Sequence, residues 1–379
     1  KDVRMFFDNN EYVTFECSKY DSRLSPNELQ KVSNKDISYN LEGFLQLVDK
    51  GIATHFEYVE HPFQIDERGV MCVLGFESKE CADFPTYLMI DLTNKCNSAC
   101  IHCPYSIIAA DENYKPSYLS FELYKKTIDE CKGRKSLFIR LSADGEPFLH
   151  PQLFEMIEYV VKSNVGKVGL TTNGSMINSS NARKLAESGL FMVDISLDAF
   201  KKETYNVVRK GLNFEKTIKN VHSILEWRNQ INSSLKIMVS FVKQESNLDE
   251  LEDFENYWEP LVDKVLIRDI HSALNLIDAY EYKIDHETHR WACPHWFRRM
   301  VINAEGMLKP CPGDWENKTV YKSLSETTIY DAWHSDFFWE NRIEHLNLLF
   351  SNDSPCKDCK DWELIPWDLG YEKVIDGLN

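Results

Sequence analysis

The sequence predicts an α/β fold: a partial (β/α)6 barrel, preceded by a small α+β unit and followed by a cysteine-rich domain. Three observations carry that expectation. Six short apolar runs alternate with amphipathic stretches from residue 86 to about residue 270. Polar, glycine-bearing motifs follow the ends of several runs. From about residue 276 the alternation stops, and aromatic residues, Gly, Pro and four cysteines dominate. The expected boundaries are 1–84 for the N-terminal unit, 85–275 for the barrel and 276–379 for the C-terminal domain.

In the first unit, residues 3–7 and 12–15 flank Asp8-Asn-Asn10 and read as a hairpin. Residues 41–48 have helical spacing and stop near Gly51, and two strand-like runs follow at 55–59 and 70–76. The barrel strands are expected at 87–92, 137–141, 168–172, 192–197, 237–242 and 265–267. Between them, Phe121, Tyr124, Ile128 and Cys131 share one helical face, and Ile218, Val221 and Leu225 share another. Pro151 is placed at a helix start, where a missing N–H does no harm, and Gly189 just past a helix end. Six repeats rather than eight suggest an open, TIM-like barrel. In such folds functional groups gather at the C-terminal strand ends.

Composition narrows the function. The chain has 379 residues, 9 Trp and 21 Phe, enough for a large core. A formal net charge of −17 argues against nucleic acid, whose phosphates select Lys and Arg. No run approaches the roughly 18 apolar residues of a membrane helix, and no signal peptide is visible at the start. The chain opens on Lys1 rather than Met, so residues are expected to be missing before it. Seven of the 11 cysteines fall in two sets, which suits metal ligation in a reducing cytoplasm better than a disulfide framework.

Cys96, Cys100 and Cys103 follow the first barrel run in a C-x3-C-x2-C pattern. Three thiolates can hold three irons of a cubane and leave the fourth open to a ligand. Zinc is the rival occupant, with His102 as its fourth ligand. The later strand ends add Asp144-Gly-Glu-Pro147, Thr171-Thr-Asn-Gly174 and Ser196-Leu-Asp198, then Arg209. Singly, each has an ordinary reading as a turn or helix cap. Together and in this order they resemble the radical S-adenosylmethionine (SAM) superfamily. Asp144 departs from the family's Gly-Gly-Glu-Pro, but Gly145-Glu146-Pro147 is intact.

The resemblance implies a [4Fe-4S] cluster on the triplet and SAM on its open iron. It implies that His102 packs by the adenine, that Gly145, Glu146 and Pro147 meet the SAM ammonium, and that Asn173 meets the ribose. Ser196, with Asp198 beside it, and Arg209 would meet the SAM carboxylate, for which an arginine fork is well shaped. One-electron cleavage of SAM would then give a 5′-deoxyadenosyl radical that abstracts hydrogen from carbon. A reducing carrier such as flavodoxin or ferredoxin is the implied electron donor.

Cys293, Cys311, Cys356 and Cys359 are spaced C-x17-C-x44-C-x2-C. Four thiolates can close one cubane or one tetrahedral zinc. A cysteine-rich tail after such a barrel resembles the SPASM and twitch extensions. With four cysteines rather than seven, it resembles a twitch domain with a second [4Fe-4S] cluster, and its spacing is similar to that of the alcohol dehydrogenase of the butirosin aminoglycoside pathway. That resemblance covers about residues 86–360. It implies two-electron oxidation of a hydroxylated small molecule, with the auxiliary cluster accepting an electron. Arg268 and His271, after the sixth strand, are the candidate catalytic residues, His271 because it titrates in the useful range. Trp296, Asp314 and Trp315 stand beside auxiliary cysteines and either line a pocket or pack.

Three alternatives remain on sequence grounds. Epimerisation needs a thiol hydrogen donor, and the cysteines outside both sets are Cys17, Cys72, Cys81 and Cys131. Peptide modification would use residues 1–84 to capture a leader segment, one route being β-addition at an exposed strand. A zinc-stabilised interaction protein is the non-enzymatic reading.

Overall fold

The computed structural model describes strand segments 2–6, 12–16, 55–58, 64–65 and 71–72, and residues 83–142, 144–277, 290–365, 374–375 and 377–378. The N-terminal unit contains β1 (Asp2–Phe6), β2 (Tyr12–Glu16) and β3 (His55–Tyr58), in the order β2-β1-β3, all antiparallel. The predicted hairpin is therefore present. β4 (Gln64–Ile65) pairs with β5 (Met71–Cys72). The helix expected at 41–48 lies outside the described residues.

Six parallel strands run in chain order: β6 (Tyr87–Ile90), β7 (Phe138–Leu141), β8 (Lys167–Thr172), β9 (Met192–Ser196), β10 (Lys236–Val242) and β11 (Lys264–Arg268). These are the six predicted strands, and the order is that of an opened barrel. Burial on both faces is why they read as apolar runs rather than alternations. Leu88, Ile90, Ile139 and Val193 pack outward against helices in the main core. Tyr87, Met89, Phe138, Met192 and Met238 form a second cluster on the opposite face, joined by Ile375 and Leu378 near the C-terminus. Each fully buried Leu or Ile contributes about 1.5–3 kcal/mol.

The helices α1 (Tyr105–Ile108), α2 (Phe121–Glu130), α3 (Leu153–Lys162), α4 (Ser179–Glu187), α5 (Lys202–Val208), α6 (Phe214–Gln230) and α7 (Leu251–Trp258) fill the crossovers. Ser120 and Asn213 cap α2 and α6 by accepting the Leu123 and Lys216 amides. On α2, Tyr124 and Ile128 are buried as the spacing predicts. The predicted start at Pro151 is displaced: α3 begins at Leu153 because the His150 ring accepts the Gln152 amide at 3.1 Å and holds the entry turn. Gly189 follows α4 with φ +78°, the left-handed conformation expected of a residue there.

The C-terminal domain is joined to the barrel by hydrogen bonds. β12 (Arg299–Ile302) pairs parallel with β6, and β13 (Leu308–Lys309) turns back on β12, giving the order β11-β10-β9-β8-β7-β6-β12-β13. Three helices, α8 (His295–Arg298), α9 (Ile329–Trp333) and α10 (Asp336–Asn347), cover it. No helix among the described residues is long and apolar enough to cross a membrane.

Candidate active site

The loop after β6 carries Cys96, Cys100 and Cys103, and neighbouring strand ends hold it in place. Ala99 and Ile101 donate to the Lys210 and Val208 carbonyls at 2.8 and 3.1 Å, so the loop runs beside the end of α5. Asn97 receives the Asn173 side-chain amide at 2.8 Å and donates to Ser175 at 2.9 Å, tying the loop to the end of β8. Gly145 lies against the same loop. A Cβ there would sit 2.0 Å from the Thr93 carbonyl oxygen and 2.6 Å from that of Lys95. The close approach lets the Glu146 amide donate to the Lys95 carbonyl at 2.7 Å.

Glu146 is buried. Its carboxylate accepts the Phe148 amide at 3.2 Å, the Thr172 hydroxyl at 2.7 Å and the Asn173 amide at 2.8 Å. Burial pushes its pKa up, and these donors pull against the shift. It thereby fixes Asn173, whose carbonyl oxygen accepts the Ser175 amide at 3.0 Å. Pro147 opens a short 3-10 turn, Pro147–Leu149. Ser196 stands at the end of β9 with its hydroxyl 3.5 Å from that of Ser240.

Behind Cys100 lies a buried ionic network. Arg209 donates to the Cys100 sulfur at 3.5 Å and forms an ion pair with Asp198. His102 Nε2 meets the same Asp198 oxygen at 3.3 Å, and Gln244 donates to His102 Nδ1 at 3.1 Å. Asp198 has φ +60°, and its other oxygen accepts the Val242 amide at 2.8 Å. Burial, against the pull of Asp198, lowers the His102 pKa to about 4, so the ring is neutral. With Nε2–H turned to Asp198 and Nδ1 taken by Gln244, neither nitrogen is left for a metal. His102 is therefore not the fourth ligand of a zinc site.

The second thiol set lies where the C-terminal domain meets the barrel. Cys293 precedes α8, Cys311 follows β13, and Cys356 and Cys359 follow α10. His345 accepts the Cys293 amide at 3.3 Å, and the Trp296 indole donates to the Cys356 sulfur. Arg290 donates to the Cys356 carbonyl and, at 2.8 Å, to that of Lys357. Trp296 is buried packing, and Asp314 spends its carboxylate on Lys318 and Thr319. Between the two sets, the buried Lys309 ammonium reaches Asp144 at 3.6 Å and the Asp314 carbonyl at 2.5 Å. Asp91 accepts the Gly145 amide at 3.3 Å.

Both thiol sets fit metal clusters. Burial, with a smaller push from neighbouring thiols, raises Cys96, Cys103 and Cys356 to about 11, 12 and 11. Cys293 and Cys311 are shifted up for the same reasons, and Cys359 by burial and the Asp361 carboxylate. Buried thiols ionise together only around a cation. Among the described residues no three Cys, His, Asp or Glu side chains converge on one ion. Thiolates alone, three in one set and four in the other, are the donor type that iron–sulfur clusters take.

Arg268 forms an ion pair with the buried Asp194 at 2.6 Å. His271 is open to solvent yet surrounded by Asp361, Arg268, Arg299 and Asp269, and desolvation lowers its pKa. Gln244, Asn97, Asp91 and Lys309 are members of the site that sequence reasoning missed. The available signal was position: Gln244 and Asp91 follow barrel strands within two residues.

A barrel with three thiols at one strand end and four in an attached domain defines an iron–sulfur enzyme with two cluster sites. Two family models match it: the Radical SAM superfamily over residues 90–252 and an iron–sulfur cluster-binding domain, SPASM, over residues 293–360. The chain carries a radical SAM domain and a SPASM domain, which imply [4Fe-4S] clusters and SAM as its cofactors. It is 31% identical over 172 residues to the mycofactocin maturase MftC of Mycolicibacterium smegmatis, covering 45% of this chain and 41% of the relative. It thus spans about two-fifths of that relative's length. The fold is similar to that of BtrN in complex with AdoMet and 2-DOIA: TM-score 0.51, 16% identity, covering 76% of this chain and 97% of BtrN. It is also similar to Streptococcus suis SuiB bound to the precursor peptide SuiA, with TM-score 0.56, 15% identity and coverage of 92% of this chain and 83% of SuiB.

Proposed function

We propose that this protein is a radical SAM oxidoreductase that dehydrogenates a hydroxylated small molecule such as a sugar or cyclitol. The observation that carries the reading is the presence of two distinct thiol sets, one of three after β6 and one of four in the C-terminal domain, whose strand β12 pairs with β6. Cys96, Cys100 and Cys103 would hold the first cluster, and Cys293, Cys311, Cys356 and Cys359 the second, single auxiliary one of a twitch-type domain. When bound, the clusters supply the electron that cleaves SAM into a hydrogen-abstracting radical at one site and a sink for the electron left on substrate at the other. The working units are residues 85–275 and 276–379, with flavodoxin or ferredoxin as donor and the cytoplasm as compartment.

The chain's own groups then have defined tasks. Glu146 holds Asn173 and the Gly145–Pro147 turn against the cysteine loop, presenting backbone carbonyls to the SAM ammonium. Arg209 Nε is buried with no partner among the described residues, so the guanidinium retains a donor for the SAM carboxylate. His102 offers a neutral ring to the adenine, and Ser196 a hydroxyl to the carboxylate. His271, neutral and solvent-reached, accepts the substrate hydroxyl proton. Arg268, fixed on Asp194, keeps positive charge beside it.

Cys131 is fully buried, its sulfur 3.1 Å from the Thr127 carbonyl, and burial pushes its pKa far up. It is no donor of hydrogen to a barrel-mouth radical, which lowers the epimerase reading. A second reading, peptide maturation, is favoured by the likeness to a maturase and by the extent of the SuiB likeness, which covers 92% of this chain. Anaerobic incubation of the reconstituted chain with cyclitols, aminocyclitols and short peptides in deuterated buffer separates them. A product two mass units lighter from a small alcohol, with stoichiometric 5′-deoxyadenosine, supports dehydrogenation. Turnover of peptides alone defeats it.

A further inference from the structure

The family resemblance gives Arg209 one task, the SAM carboxylate; the geometry gives it a second. Its guanidinium bridges the Cys100 sulfur, at 3.5 Å, and the buried carboxylate of Asp198. Arginine cannot shed its proton in a protein, so a full positive charge sits against a ligating sulfur. Asp198 is not exposed at all, and it is locked by the Val242 amide on one oxygen and by His102 beside the other. The Ser98 hydroxyl lies 3.0 Å from the same sulfur. Among the described residues, no charged side chain donates a hydrogen bond to the Cys96 or Cys103 sulfur. The electrostatic environment of the triplet is therefore asymmetric, with its cation on Cys100.

We infer that Arg209 sets how readily the cluster on Cys96, Cys100 and Cys103 accepts its electron, with Asp198 and His102 as the residues that position it. Reduction adds negative charge that spreads onto the thiolate sulfurs. A donor carrying positive charge favours the reduced form, and a buried anion nearby opposes it. Arg209 touches the sulfur while Asp198 stands behind it, so the cation dominates. Removing Arg209 and removing Asp198 must then shift the cluster in opposite directions. A merely structural role predicts no such opposition.

The inference rests on a SAM-binding cluster at the triplet, and the test separates the two. The full chain is reconstituted anaerobically and titrated by EPR at set potentials. The triplet cluster is recognised as the signal whose spectrum changes when SAM is added. Arg209→Gln is expected to lower the reduced-to-oxidised ratio at fixed potential at least tenfold, equivalent to about 59 mV downward for a one-electron couple. Arg209→Lys, keeping charge but not the fork, falls between. Asp198→Asn moves the midpoint upward. Absence of any SAM-sensitive signal in the native chain overturns the site assignment and this inference with it. Native-like midpoints in Arg209→Gln and Asp198→Asn, both retaining iron, overturn the inference alone. So does loss of the cluster from all three variants, since the network would then hold the loop rather than tune the cluster.

Discussion

Substituting Gly145 by alanine tests the idea that the Gly145–Pro147 turn and the cysteine loop are one fitted unit. The new Cβ would lie 2.0 Å from the Thr93 carbonyl oxygen, 2.6 Å from that of Lys95 and 2.9 Å from the Thr93 carbonyl carbon. Real Cβ atoms essentially never come within 3.0 Å, so the two backbones must part by at least 1.0 Å (3.0 less 2.0). Both obstacles are main-chain atoms, so no rotamer relieves them. Parting breaks the 2.7 Å bond from the Glu146 amide to the Lys95 carbonyl. Overpacking costs about 1–3 kcal/mol, and a lost backbone bond about 1 kcal/mol more. The expected destabilisation is about 2–4 kcal/mol by urea denaturation of the anaerobic apo-protein. Iron bound at the triplet should fall as well. Gly166→Ala is the control: its Cβ would sit 1.7 Å from the Leu137 carbonyl oxygen, at the N-terminal end of β8 and away from the cysteines. It should cost similar stability and leave triplet iron intact. If Gly145→Ala costs under about 0.5 kcal/mol, or if both variants lose iron equally, the fitted-unit reasoning is wrong.

Two further outcomes follow from buried charge. Lys309→Met leaves Asp144 facing Asp91 and Asp314 without a cation, and should cost about 3–5 kcal/mol in chemical denaturation; adding Asp144→Asn should restore more than half, and no restoration would show that the pair does not interact. The His150 ring is satisfied only when neutral, accepting from the Gln152 amide and donating to the Leu119 carbonyl, and burial lowers its pKa from the ordinary 6.5. The unfolded chain therefore binds a proton that the folded chain refuses, and this contribution to stability is lost as pH falls below about 6.5. His150→Gln should flatten that acid limb in a pH series of denaturation midpoints, whereas an unchanged limb would assign it to other groups.

Much of this architecture was legible because parallel strands buried on both faces announce themselves as apolar runs, and all six lie within a few residues of where those runs stand. The strand-end motifs were equally plain, since Gly-Glu-Pro, Asn-Gly and Ser-Leu-Asp combine residue types that such turns select. Less visible was what those residues bind. Glu146 spends its carboxylate on Thr172 and Asn173, a partnership made by the β7–β8 neighbourhood and not by spacing along the chain. Arg268 reads as a catalytic candidate until the interior Asp194 is seen paired with it. Gln244 and Asn97 are ordinary loop residues in the sequence, and their roles come from tertiary closeness alone. The β12–β13 hairpin was hidden by its surroundings, although Met300-Val-Ile302, then Asn303-Ala-Glu-Gly306, then Met307-Leu308 is a run, a turn and a run.

That hairpin matters because it makes the spacing of the two thiol sites a matter of sheet register. Ile302 pairs with Ile90, and the Asp91 amide donates to the Ile302 carbonyl at 2.8 Å. From that shared rung the chain runs to Cys96 on one side. On the other it turns through Gly306 and returns along β13 to Cys311. Gly306 takes φ +78°, and a Cβ there would meet Leu123 at 2.9 Å, so the turn is also pressed onto α2. Lys309 then spans back to Asp144 at 3.6 Å, beside the turn that meets the cysteine loop. To separate the two sites, the molecule would have to break the β6–β12 ladder and strand a buried ammonium. A linker between independent domains imposes neither cost. The separation of Cys96 from Cys311 is thus built into backbone hydrogen bonding.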